Sequence, residues 1–231
     1  MIRLILTAYL FVLPLAWSTT LPGIDPKLSY STDAVLRARR VTTKSLVYVP
    51  EEITFPAGVQ EQKFRKALSL METILNSEEF KIKVIGYQRP GGHSYSSNYL
   101  WSDSKKPLTN EEIYEIIMNG DEKMRPETLG EMNINSWVKV CGFFQRALYW
   151  CRGTVGSTTP RTSFWITLNW KYYSNMRIEE MTGNIVHEWI HLLGFEHHKG
   201  NLDEQVTYVV GEITENMARE ILQREKLKPF I

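Results

Sequence analysis

The apolar positions of the chain sort into stretches with helical and extended periods. Phe64, Ala67, Leu68, Met71, Ile74 and Leu75 recur at i, i+3, i+4 and i+7, which predicts a helix with one buried stripe. Asn76 and Ser77 close it, and residues 80–87 read as a strand. Residues 89–106 are rich in Gly, Ser, Pro and Asn and predict a long loop. Thr109 and Glu112 have the spacing of a capping box for a second helix through Met118. Residues 45–49, 131–142 and 162–168 read as strands. In the last of these, Phe164, Ile166 and Leu168 take one face while Trp165 and Thr167 take the other. A final helix is predicted over 211–226, with Ile213, Met217, Ile221 and Leu222 in register. Helices and strands are interspersed without an internal repeat, so the fold class is α+β, or mixed α/β.

Composition narrows this only a little. The chain has 231 residues, 43% of them hydrophobic and 23% charged, which suits one globular domain with its own core. Lys+Arg is 27 and Asp+Glu is 26, a formal net charge of +1. That balance supplies no global attraction for nucleic acid, and none is expected as a partner.

The first 18 residues read as a secretory signal: Arg3 gives the basic start, 4–15 the apolar run, and Ala16 and Ser18 the small residues around a cleavage site after Ser18. The apolar run is too short to span a bilayer, so no stable membrane anchor is expected. Residues 19–43 carry few large apolar side chains, a Pro22-Gly23 pair and a basic cluster, Arg37, Arg39 and Arg40. Two readings stand open for them: an extended N-terminal arm, or a short pro-segment cut near the arginines. Export to the periplasm or the medium makes Cys141 and Cys151 a candidate disulfide. Its short loop is worth about 3 kcal/mol at most.

The chemistry is concentrated late in the chain. Four of the five histidines lie in His187-Glu188-Trp189-Ile190-His191-Leu192-Leu193-Gly194-Phe195-Glu196-His197-His198. On a helix, His187 and His191 stand one turn apart on one face and can share a metal ion. Glu188 is rotated by about 100° from His187, near enough to hold a water without ligating the metal. Gly194 can adopt the left-handed conformation that ends a helix, after which the chain can bring His197 up as a third ligand. Three neutral imidazoles leave a fourth zinc position open, the pattern of a catalytic site. With His187 at zero degrees, Ile178, Met181, Ile185, Trp189 and Leu192 fall on the opposite side, ready to pack on a sheet.

This run resembles the metzincin clan of zinc metallopeptidases, whose extended motif H-E-x-x-H-x-x-G-x-x-H is matched in full over 187–197. The strand-prone run before the helix also looks like that fold, and the chain is similar to small secreted bacterial members. The resemblance covers about the last third of the chain. It implies a metzincin-like zincin domain over 44–231, a mixed sheet packed on a zinc-binding active-site helix. It also implies one catalytic zinc ion on His187, His191 and His197, with Glu188 as general base.

The sequence departs from the clan in three places. His198 follows the third ligand, where a subfamily marker is usual; it could replace His197 as ligand, but the offset favours His197. The clan places a methionine turn beneath the metal, and Met217, on an apolar helical stripe, is the sole downstream methionine. Tyr208 stands where a metal-site tyrosine could be, or is a buried strand tyrosine. Glu204 and Glu212 are subordinate candidates for a carboxylate ligand, and His93 reads as an exposed loop residue.

The expected function is a secreted, monomeric zinc endopeptidase acting on protein or peptide substrates. The strand over 162–169, flanked by Pro160 and Asn169, would be the sheet edge that pairs with an extended substrate. Two other readings stay open: a secreted zinc-containing binding protein without turnover, and a hydrolase of a non-peptide amide.

Overall fold

A computed structural model describes residues 29–30, 41, 44–54, 59–88, 94–96, 98–101, 107–122, 124–125, 129–139, 156–158, 165–199 and 202–227. The signal segment 1–18, most of the 19–43 arm, His93, Cys141 and Cys151 lie outside those residues. In chain order the elements are β1 (Ser29–Tyr30), β2 (Val47–Thr54), α1 (Val59–Leu75), α2 (Glu78–Gly86), β3 (Tyr87–Gln88), α3 (Asn110–Asn119) and β4 (Glu131–Lys139). Then follow β5 (Gly156–Ser157), β6 (Trp165–Asn169), a helical turn Trp170–Tyr173, α4 (Ile178–Leu192), a 3-10 turn Leu202–Glu204 and α5 (Val206–Leu227). The architecture is mixed α+β. Among the described residues, no helix is long and apolar enough to cross a membrane.

The main sheet has the order β2-β4-β6-β5. The β2–β4 and β4–β6 pairs are parallel, and β5 runs antiparallel to β6. A separate two-stranded antiparallel ladder joins β1 to β3. Ile166 and Leu168 of β6 are buried and Trp165 and Thr167 half-buried, the alternation the sequence predicts. The edge assignment is corrected. β6 is paired on both sides, and the outer strand next to it is the two-residue β5. The register Gly156↔Leu168 and Ser157↔Thr167 covers the flank that Pro160 and Asn169 suggested was free.

A second correction concerns residues 80–87, most of which form helix α2 rather than a strand. Ser77 caps it, its Oγ accepting from the Phe80 amide over 3.1 Å, and Glu78 and Glu79 fill the first turn. Phe80, Val84 and Ile85 are then buried at helical spacing. The capping box at Thr109 and Glu112 forms as predicted, in both directions.

The core runs between the sheet and the helices. α4 packs most extensively against α5 and then α1, and it meets the sheet through β5 and β6. Met181, Ile185, Trp189 and Leu192 are buried as the periodicity predicts, and Val186, Ile190 and Leu193 are buried as well. The helix is therefore enclosed on several sides rather than laid on a sheet by one face. At its back, the Trp189 indole donates to Glu122 Oε1 over 2.8 Å. The same oxygen accepts the Asn133 amide of β4 over 2.8 Å, tying α4 to the sheet.

Candidate metal centre

Local backbone geometry brings the three histidines together. α4 carries His187 and His191 one turn apart, with ring centroids 5.2 Å from one another. The helix ends where the Gly194 amide donates to the His191 carbonyl over 2.9 Å. Gly194 has φ 104°, a conformation that L side chains rarely adopt. A Cβ there would also lie 2.4 Å from the Trp101 ring. The turn then carries His197 back over the helix, its ring centroid 5.1 Å from that of His187 and 4.5 Å from that of His191. One nitrogen from each imidazole lies within 4.8 Å of the others.

Residues 94–96 and 98–101 brace this turn. Tyr99 bridges to Phe195, and the Glu196 amide donates to the Asn98 carbonyl over 2.9 Å. Ser96 bridges to Gln205 on the other side. The predicted loop thus contributes a strap that holds the third histidine's backbone.

Hydrogen bonds fix the tautomers. His191 Nδ1 lies 2.5 Å from the Phe195 carbonyl, which can only accept. The proton therefore sits on Nδ1, and Nε2 presents a lone pair. Gln205 donates from Nε2 to the His198 carbonyl over 3.0 Å, which turns its Oε1 toward His197 Nδ1 at 3.1 Å. The same logic leaves a lone pair on His197 Nε2. The two Nε2 atoms stand 3.1 Å apart. Two lone pairs cannot satisfy one another, and a cation that both can ligate removes the conflict. The donor set fits zinc: three imidazoles, each braced at its other side by an oxygen acceptor or a backbone bond. For His187 that bond is to the backbone of Thr207.

Burial reinforces the neutral state. It drives His187 down to about 3, with further lowering from His191 and His197. His191 is driven down to about 4, again chiefly by burial. Both are therefore unprotonated, ligand-competent imidazoles at neutral pH. Glu188 is 4% exposed, and burial raises its carboxyl to about 7 while the Thr158 hydroxyl pulls the other way.

The site opens into a cleft of about 680 Å³. Its walls include Glu180, Asn184, Glu212 and Glu215 beside the imidazoles. Glu180 pairs with Arg177 at 2.7 Å and Glu215 with Arg219 at 2.5 Å, which offsets two of those charges. The buried Tyr173 hydroxyl donates to Asn184 Oδ1 over 3.0 Å.

Most of the candidate residues meet here. His187, His191 and His197 cluster, and Glu188 lines the same cleft as His187 and His197. Tyr208 sits on helix α5 rather than on a strand, 37% exposed, its ring 4.6 Å from that of His187 and 4.8 Å from that of His197. Others stay apart. His198 turns its Nε2 toward the Ser96 carbonyl, so His197 is the third imidazole of the cluster. Glu212 lines the cleft but does not join the ligand group, and Glu204 lies in the 3-10 turn. Met217 is a core residue in the middle of α5, not a turn residue beneath the histidines.

Sequence reasoning missed the braces: the Phe195 carbonyl, Gln205, Thr207, Thr158 and Glu122. None falls at a fixed offset that a motif could reveal, because each arrives by tertiary approach. Compared with family models, curated proteins and solved structures, the chain matches none.

Proposed function

We propose that the protein is a secreted, zinc-dependent endopeptidase of metzincin type. One observation carries this reading: the converging lone pairs of His191 and His197, 3.1 Å apart, with a buried carboxylate, Glu188, next in sequence to His187. A zinc ion held by His187, His191 and His197 supplies a Lewis acid that acidifies water and polarises a carbonyl.

Glu188 takes the proton of the attacking water and returns it to the departing amine. Its buried setting keeps bulk water from competing for that proton. Tyr208, at the mouth of the cleft against two of the imidazoles, supplies an O–H donor for negative charge developing on the substrate carbonyl. The edge role expected of residues 162–169 passes to β5, whose backbone offers an extended peptide the pairing groups of an outer strand. The signal-like residues 1–18 support export.

The test expresses the full chain in an exporting host and sequences the N-terminus of the recovered protein. Wild type and Glu188→Gln are then assayed for zinc and for cleavage of a mixed peptide library. The expected result is a chain beginning at Thr19 with one zinc in both proteins. Cleavage by wild type should stop on chelation, and the variant should be slower by about 10²- to 10⁴-fold. Two zinc-loaded proteins that cut nothing would favour the binding-protein or non-peptide amide reading. A wild type without zinc would refute the ligand assignment.

A further inference from the structure

The last strand of the sheet closes on the side chain proposed as the base. Gly156 is buried, Ser157 exposed and Thr158 half-buried. That alternation puts residues 156 and 158 on one side of the extended backbone, the side turned to α4. The Thr158 hydroxyl donates to Glu188 Oε2 over 3.0 Å. Gly156 leaves the rest of the carboxylate its room: a Cβ there would lie 2.5 Å from Oε1 and 2.8 Å from Cγ and Cδ. The pairs Gly156↔Leu168 and Ser157↔Thr167 fix this strand to the sheet, whereas Glu188 belongs to the helix. One hydrogen bond and one missing side chain therefore set where the carboxylate stands between the two.

We propose that Thr158 is the positioning residue of Glu188 and that Gly156 is required beside it. Together they admit one carboxylate orientation, with Oε2 held by the hydroxyl and Oε1 lodged against Gly156. The inference rests on the reading of Glu188 as general base. Thr158 acts only through Glu188, and its own proton stays on the hydroxyl throughout. Terminal carboxylate torsions are broad and roughly two-fold, so without the donor the group samples other rotations. Proton transfer requires heavy atoms within about 2.6–3.2 Å, and a displacement of about 1 Å can cost 10²-fold.

The experiment compares zinc-loaded wild type with Thr158→Val, Thr158→Ser and Gly156→Ala. Zinc content, thermal midpoint and steady-state constants are measured on the best-cut library peptide. Thr158→Val is expected to keep its zinc and its KM while kcat falls by about 10- to 100-fold. Thr158→Ser, which retains the hydroxyl, should recover most of that loss. Gly156→Ala should behave like Thr158→Val, because its methyl group displaces the carboxylate.

A second readout needs no turnover. Acetohydroxamate binding to the cobalt(II)-substituted proteins is followed by visible absorption, since this acid hands a proton to a correctly placed carboxylate. Affinity should fall in Thr158→Val and Gly156→Ala and return in Thr158→Ser. Wild-type kcat and wild-type acetohydroxamate affinity in Thr158→Val would overturn the proposal. So would equal losses in the valine and serine variants, which mark a steric role. A wild type that cuts no peptide would sink the endopeptidase reading alone, and the acetohydroxamate series would then decide the positioning. Should Thr158→Val fail to fold, Thr158→Ala against Thr158→Ser carries the same comparison.

Discussion

Gln205 shows how much of the candidate metal centre depends on residues outside the histidine cluster. Its side chain is 1% exposed and reaches two neighbours, donating to the His198 carbonyl and accepting from His197 Nδ1. It thereby selects the tautomer that aims the His197 lone pair at the shared site. Gln205→Leu keeps the volume and removes both bonds. Zinc affinity is expected to fall by about 10- to 100-fold, measured by competition with a chromophoric chelator. The three clustered histidines and Glu188 were legible because they occupy one run of eleven positions whose spacing has a direct meaning on a helix. Gln205 was not. Eight residues beyond His197, its role arises only after the turn at Gly194 has folded back and the Ser96 bridge has fixed its backbone.

At the scale of elements, the approach of α4 to α5 decides whether Thr207 and Tyr208 reach the site at all. The two helices meet at Gly183 and Gly211. A Cβ on Gly183 would lie 2.7 Å from the Gly211 carbonyl oxygen and 2.8 Å from Glu215 Cβ. Neither can yield without moving α5. Gly183→Ala is therefore expected to cost about 1–3 kcal/mol by overpacking and to weaken zinc binding with it. Denaturant unfolding and zinc titration of one preparation would show both. Elements with strong local signals were legible: α1 by its stripe, α3 by its capping box, α4 by its buried face. α2 was misread because Phe80-Lys81-Ile82-Lys83-Val84 alternates like a strand, while the cap at Ser77 and the packing of Phe80 and Val84 favour the helix. α5 begins at Val206, before the predicted 211, for a related reason. Val206, Thr207, Val209 and Val210 are β-prone, yet all four are buried against their neighbours as helix. β5 spans two residues and carries no period to read.

Across the whole molecule, the site couples stability to pH through its uncharged imidazoles. In the metal-free protein, His187 and His191 stand at about 3 and about 4, against 6.5 for an unperturbed histidine. Below pH 6.5 the unfolded chain takes up protons that the folded chain does not, so acid favours unfolding. Metal-free protein is expected to lose thermal stability as pH falls from 6.5 toward 4. Zinc, which binds only the assembled site, should raise the midpoint at every pH where it stays bound. Thermal scans with chelator and with zinc across that range check both; a flat chelator series would contradict the burial of these two rings.

The three imidazoles differ in their contact with water. His191 is buried, His187 half-buried and His197 exposed at the end of a turn that Tyr99 and Ser96 bridge on either side. Were a metal bound by these rings, such a gradient would give its exchange a sequence. The outermost ring would let go first, the inner pair last, and capture would run in reverse. The Tyr99–Phe195 bridge would then bear on how long an ion stays, because it ties the turn carrying His197 to a segment about one hundred residues earlier in the sequence.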